Sequence, residues 1–475
     1  MKLHLTGLTV LLTLVTTTIS AEAKVLKNLN NGNPYSSGVE TLTSPKVQPS
    51  QGDDSEAQLL FQMGLEQYRT QQWEQAIASL EKALTRFRQV NNPGGEAAAL
   101  SLLGSIYHQQ KNYTKAIEFY QQSLPLARQL TNRTLEGALL RAMAGANHSL
   151  GNTKEAINYY QQALAWLKKS DLSDPKNRNL EAFTGLSLGI AYHQDRNYEK
   201  AAQHLEVSSQ QLEQLNDRAN QGIALSYWGK ALLGLSQYSK ALERLEQSLP
   251  LLQEVGNATQ EAESWLAIGA THLIQKNAQK SLEAYQQASR LYGQQDNHLG
   301  VGMAINGMGL AYYQLQQYSQ AIESYQQAAS IFAQQNLPDR QALVLRSAAS
   351  IYSELKQPTD AIKTYQQAFE AFQKAGDRLK AGITLYELGL IYTNSGEFES
   401  ALESYQQALT LFEQLGDRRR QGLIFYSIGI VYSRSSQSEN ALEAYQQALS
   451  IFEELGDNQA ASTIRKELNT SPTEN

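Results

Sequence analysis

Cysteine is absent from all 475 residues, which excludes disulfides, thiolate metal sites and lipid-modified cysteine and predicts a chain indifferent to redox poise. Charge of one sign is also lacking, since 40 Lys and Arg stand against 46 Asp and Glu and the two are interleaved. Such a distribution builds no one-signed field, so neither nucleic acid nor an anionic membrane surface is an expected partner. Long hydrophobic runs are missing too. The one apolar stretch, Leu5 to Ile19, is too short to span a bilayer.

That stretch follows Lys2 and precedes Ala21 and Ala23 in an AxA pattern, the organisation of a secretory signal. A short amphipathic anchor is the competing reading, but threonine dominates its end and no charged face accompanies it. Residues 1–23 are therefore read as a signal peptide, placing the mature chain in the periplasm or the medium, with no membrane insertion after cleavage. No twin arginine is present. Residues 24–55 are rich in Asn, Ser, Pro and Gly without apolar periodicity, and read as a disordered linker.

Catalytic signatures are absent as well: no P-loop, no GxSxG and no HExxH occurs. Gly307 and Gly309 form a GxG, but within a helical pattern and with no strand before it. Asn147 opens an NxS triplet that also falls within a helical pattern. The expectation is a protein that is not an enzyme and takes no cofactor or metal.

What is abundant is repetition. The pentad YQQAL or a near copy opens at Tyr120, Tyr160, Tyr285, Tyr325, Tyr365, Tyr405 and Tyr445, with a period of 40 residues. Aligned on AIxxY, ten copies carry a small residue at Ala76, Ala116, Ala156, Ala201, Ala241, Ser281, Ala321, Ala361, Ala401 and Ala441. A second small slot lies twelve residues upstream, from Gly64 and Gly104 through Gly389 and Gly429, and a third lies seven downstream, from Ala83 to Ala448. Tyrosines such as Tyr107, Tyr192 and Tyr392 fill what the small residues open.

Within each copy, apolar residues recur in two helical runs, as in Leu385, Leu388, Tyr392 and then Ala401, Tyr405, Ala408, Leu409, Phe412. Each unit is thus a helical hairpin. Gly256, Gly376, Gly416 and Gly456 sit where a left-handed helix end is wanted, and Asn257, Asp377, Asp417 and Asp457 follow as caps for the next helix. One step, Tyr160 to Leu205, is five residues too long, and the excess is expected in a loop around Asp171 to Asn179 with Pro175. Pro125 and Pro250 share a slot in second helices and predict kinks. Arg418, Arg419 and Arg420 read as a solvated helix start.

This order of small and aromatic slots resembles the tetratricopeptide repeat family, in its 40-residue form similar to kinesin-light-chain-type arrays and to bacterial arrays that precede caspase-like domains. The resemblance implies an all-α, right-handed α-solenoid of about ten hairpins over residues 56–456, with a capping helix and tail over 457–475. It implies a non-enzymatic scaffold whose first helices line a concave groove for a protein or peptide segment. Self-association through array ends or edges, giving a homo-oligomer, is the alternative. On the groove wall the candidates are Tyr68, Arg141, Asn306, Tyr313, Arg346, Tyr386 and Tyr426, because aromatic and arginine side chains anchor peptides. His108, His148 and His193 share one slot and form an expected ladder there, open to three readings: solvated lining, a pH-tuned contact or a metal site.

Overall fold

A computed structural model describes residues 54–169 and 173–470, all of them in helices and the turns between. Among the described residues there are 21 α-helices and no strand. Most helices run 17 residues, about 25 Å at 1.5 Å per residue. The first twenty alternate as first and second helices of ten hairpins, and Asn458–Thr470 closes the series against Ser438–Glu454. This is an all-α solenoid architecture.

A turn residue with positive φ recurs every 20 residues, at Gln71, Asn91, Lys111, Thr131 and Gly151, and again from Arg196 to Gly456. The 40-residue unit is therefore two 20-residue steps, each a 17-residue helix and a three-residue turn. At each turn the amide after the positive-φ residue reaches the carbonyl five positions back, as in Gln72 N to Gln67 O at 2.8 Å and Asp417 N to Phe412 O at 2.9 Å. Glycine was expected at four junctions, and all four adopt φ of +66° to +73°. The same conformation is held at thirteen turns by Gln, Lys, Asn, Thr, Arg, Ser or Asp. A single left-handed residue costs only about 1–2 kcal/mol, which two packed helices override. Asp377, Asp417 and Asp457 cap as expected, accepting from the amides of Lys380, Arg420 and Ala460 at 3.0–3.1 Å.

The small slots have a direct physical cause. A Cβ added at Gly389 would lie 2.5 Å from the Tyr405 ring, and one at Gly104 or Gly429 would lie 2.5 Å from Tyr120 or Tyr445. The residue sixteen positions on, in the second helix, lays its ring on the bare backbone of the first. Where leucine replaces tyrosine the slot is still glycine, as at Gly189 against Leu205. Gly309 belongs to the same packing, against Tyr325, and Gly307 takes the ring of Tyr285 from the second helix of the preceding hairpin.

The long step lies between Leu167 and Gln194, in a longer connection between helices and in a longer helix after it. Pro175 is the first residue of a 20-residue helix, Pro175–Gln194, and Asp174 caps it by accepting from Lys176 N at 2.8 Å. Proline lacks the amide that a helix start leaves unpaired, so part of the excess is absorbed as extra helix. Asp171 lies outside the described residues. Helices Tyr113–Gln129 and Tyr238–Glu254 run without interruption through Pro125 and Pro250.

The chain divides into two compact units between Thr271 and His272. The N-terminal unit holds hairpins one to five, with cores built around Leu80 and Phe87, Tyr120 and Leu139, and Leu186 and Tyr227. Its described residues include a buried charged pair, Lys230 Nζ to Glu263 Oε2 at 2.9 Å, each less than a tenth exposed. Gln260 Nε2 donates to the same carboxylate at 2.7 Å, and the Lys230 ammonium lies 3.6 Å over the Tyr227 ring. The C-terminal unit holds hairpins seven to ten and the closing helix, with cores around Tyr365, Phe372, Tyr405, Phe412, Tyr445 and Phe452. The expected signal peptide, residues 1–23, the expected linker up to residue 53 and the end of the tail, 471–475, lie outside the described residues.

Candidate protein-binding face

Side chains on successive first helices meet at a separation of 41 residues. In the C-terminal unit Arg346 clasps Glu387 with two bonds of 2.7 and 2.9 Å, Tyr313 Oη donates to Glu354 at 2.8 Å, and Ser427 Oγ lies 3.4 Å from Tyr386 Oη. A slot on one hairpin thus reaches the next slot on its neighbour. Burial pulls the Arg346 guanidinium down, but the Glu387 bond and charge outweigh it and hold it above its usual range. Burial raises the Tyr313 phenol, and the bond to Glu354 raises it further. Three of the expected wall residues, Tyr313, Arg346 and Tyr386, therefore tie hairpins together.

Asn306 is buried at 5% exposure, and Tyr426 is half-buried with its ring tilted on Tyr445, centroids 5.8 Å apart. Burial raises the Tyr426 phenol, assisted by Glu467 of the closing helix. In the N-terminal unit Arg141 is buried at 8% exposure, and Tyr68 sets its edge on Trp73 at 5.6 Å. The five wall residues of the C-terminal unit occupy adjoining hairpins; Tyr68 and Arg141 do not join them.

The histidine ladder is not a solvated lining. His148 and His193 are buried at 6% and 4% exposure, and His108 is mostly buried. Each imidazole meets tyrosine rings edge-on: His108 with Tyr113 at 5.2 Å, His148 with Tyr160 at 6.2 Å, His193 with Tyr198 and Tyr227 at 5.6 and 5.7 Å. Burial pushes His108 down to about 4, so it is neutral at ordinary pH. The slot packs on the helix below, which the spacing of histidines along the sequence does not reveal. Among the described residues no group of three or more His, Asp or Glu is placed to hold a metal ion.

A feature not foreseen lies on hairpins nine and ten. On the first helix Arg378–Ser395, Ile383, Tyr386 and Leu390 fall at i, i+3 and i+7, and on Arg418–Arg434 Leu423, Tyr426 and Ile430 take the same register. Spacing of this kind lines one helix face. Leu390 and Leu423 are 37% and 36% exposed, and the other four are partly exposed. Two parallel apolar stripes thus stand side by side, bordered by the Arg346–Glu387 pair. The signal was available as a 40-residue repeat of apolar residues at a face where hairpins seven and eight carry Asn306 and Arg346. Arg418, Arg419 and Arg420 lie elsewhere and pair with Glu454, Asp457 and Asp417, remaining partly exposed. Asn147 is a buried helical residue whose amide donates to Met143 O at 2.9 Å.

A stack of helical hairpins with small-residue notches and an apolar first-helix face defines a repeat protein of the scaffold type. Residues 95–169, 260–334, 340–414 and 380–454 match the tetratricopeptide repeat family, together more than half of the chain, and the chain belongs to that family. No curated protein sequence matches it significantly. A signal transduction ATPase with numerous domains from Pyrococcus horikoshii, which carries a tetratricopeptide repeat sensor, has a similar structure at TM-score 0.52 and 13% identity. The match covers 78% of this chain and 57% of that one. The apo form of RapI matches at TM-score 0.45 and 15% identity over 58% of this chain and 97% of its own. Aspartyl phosphate phosphatase F from Bacillus subtilis matches at 0.44 and 14% over 73% and 91%. At 13% identity the likeness to the ATPase is one of fold.

Proposed function

We propose that this chain is an exported, non-enzymatic scaffold that binds a segment of another protein across the first helices of hairpins nine and ten. The observation that carries the reading is the pair of apolar stripes, with Leu390 and Leu423 open to solvent beside Tyr386 and Tyr426. Contiguous exposed apolar surface marks a place where another molecule packs, and tyrosine adds large area at low entropic cost. Membership of a repeat family whose solenoids typically act as non-catalytic scaffolds supports the same reading. Export rests on the signal-like run from Leu5 to Ala23.

The test is quantitative co-precipitation from the host's envelope fraction with the full chain and with Leu390→Ser/Leu423→Ser. Both side chains are over a third exposed, so the double variant should fold with a stability change within about 1 kcal/mol. Partners are expected to fall several-fold in recovery. Equal recovery on both would mean that this face is not the binding surface.

A second reading, self-association, is favoured by the first helix of the array, where Leu59 and Met63 are 63% and 47% exposed one turn apart. Two copies meeting there would cover them.

A further inference from the structure

The second helices of hairpins seven and eight, Tyr318–Gln334 and Pro358–Ala375, bound a groove of about 720 Å³ floored by Leu345 and Tyr352. It lies on second helices, away from the first-helix stripes. We propose that this groove is a separate docking site for an extended, polar, weakly charged segment of another protein that inserts one side chain of leucine or isoleucine size. The inference shares the protein-binding reading above but rests on different residues.

Comparison with the adjoining groove carries the argument. The groove between hairpins eight and nine has the same floor leucine, Leu385, and the same rim bond, Gln366 Nε2 to Tyr392 Oη at 3.1 Å. At the proposed site the rim bond is Gln326 Nε2 to Tyr352 Oη at 3.2 Å. The adjoining groove is closed by the chain's own Phe369 and Leu411, which pack into the core beside Leu385. Here the corresponding positions are Ala329 and Ala371. At the Ala371 slot the flanking repeats carry Leu291, Ile331, Leu411 and Ile451. One hairpin junction therefore keeps the polar rim and lacks the apolar pair, Phe369 and Leu411, that the next junction supplies. A close-packed interior has no use for such a gap, and an inserted side chain restores what is missing.

The rim selects the rest of the ligand. Gln326, Gln341 and Gln367 present amides, each able to donate and to accept, which is the pairing an extended backbone needs. Asp360, Lys363, Glu370 and Lys374 alternate in sign along one wall, so the groove offers no net charge to a phosphate, a nucleic acid or a strongly charged peptide. From Asp360 to Lys374 the wall is about 21 Å long at 1.5 Å per residue. That length matches about six residues of extended chain at 3.3 Å each.

The test uses the full chain and two libraries of acetylated, amidated hexapeptides. Both contain Ser, Thr, Gln, Asn and Gly, with Leu fixed at the third position in one and Ala in the other. Retention in equilibrium gel filtration is read by mass spectrometry. Replacing an inserted methyl by an isobutyl group is worth about tenfold in affinity or more, so the Leu library should be retained and the Ala library lost. Ala371→Leu, which places a leucine where four flanking repeats hold leucine or isoleucine, should keep its helical circular dichroism and lose retention; Ala329→Leu should do the same. Equal retention of both libraries, no retention of either, or retention unchanged by both fillings would overturn the proposal. If Leu390→Ser/Leu423→Ser abolishes retention and the fillings do not, the groove is wrong and the first-helix face stands. Loss with the fillings alone identifies the groove.

Discussion

His108 shows how one buried side chain couples to pH. Its imidazole is held neutral down to about pH 4, whereas an unfolded histidine titrates near 6.5. A group with a depressed folded pKa contributes stability that is present above the unfolded value and lost as pH falls through the folded one. Between pH 6.5 and 4 the unfolded chain gains a proton that the folded chain refuses, so stability declines by about 3 kcal/mol from this residue alone. His108→Leu, the residue at the equivalent positions 233 and 273, should flatten the fall in melting temperature over that window. An equally steep fall in the variant would assign the acid sensitivity to other groups. Arg346 belongs at this scale as well: it was expected to face a ligand, and its fork is occupied by Glu387. Its residue type was informative, but its partner, 41 residues away, became visible only once the hairpins were stacked.

At the scale of the element, the recurring object is a 17-residue helix and its turn. The turn conformation tolerates an ordinary side chain because a single left-handed residue costs about 1–2 kcal/mol, and a β-branched side chain sits at the costly end, held in this chain at Thr131 by its packed helices. Gly396, at φ +79° with open space around its α-carbon, isolates that term from packing. Gly396→Val should lower stability by roughly 1–3 kcal/mol, and Gly396→Asn by a fraction of that. Thermal denaturation followed at 222 nm decides it; equal losses for Val and Asn would show that packing, not φ, governs the site. The helices and turns were legible in the sequence because period and capping residues are local properties. The 20-residue equivalence of the two kinds of turn was not. Only about half of the turns carry Gly, Asn or Asp at the positive-φ position; the others are held there by tertiary packing.

For the whole molecule, the candidate behaviours are export, partner binding and self-association. If residues 1–23 are removed on export, chain recovered from the periplasm or medium of its host should begin at Lys24, as read by intact mass. A chain still beginning at Met1 in that fraction would remove the signal-peptide reading. Light scattering at two concentrations addresses the exposed Leu59 and Met63 pair: a mass that rises with concentration, and ceases to rise in Leu59→Ser/Met63→Ser, supports association through that end. A monomer at both concentrations excludes it. Among the described residues no helix is long and apolar enough to cross a membrane.

The sequence by itself determined the helical hairpin, its count and its family, because knobs at Tyr405 and notches at Gly389 recur at fixed intervals and can be satisfied by only one kind of stacking. It also named Tyr386 and Tyr426, which stand within the apolar stripes. Tertiary structure alone decided which surfaces are left over. Burial of His148 and His193 depends on the helices that fold back on them, Tyr160 and Tyr198 lying in the same hairpin, whereas the tethering of Tyr313 and Arg346 and the gap between Ala329 and Ala371 depend on what the neighbouring hairpin presents, some 40 residues distant. A repeat fixes the spacing of its own residues, whereas exposure belongs to the pair of units that meet, and two alanines at one junction are indistinguishable from ordinary small residues until the facing helix is in place.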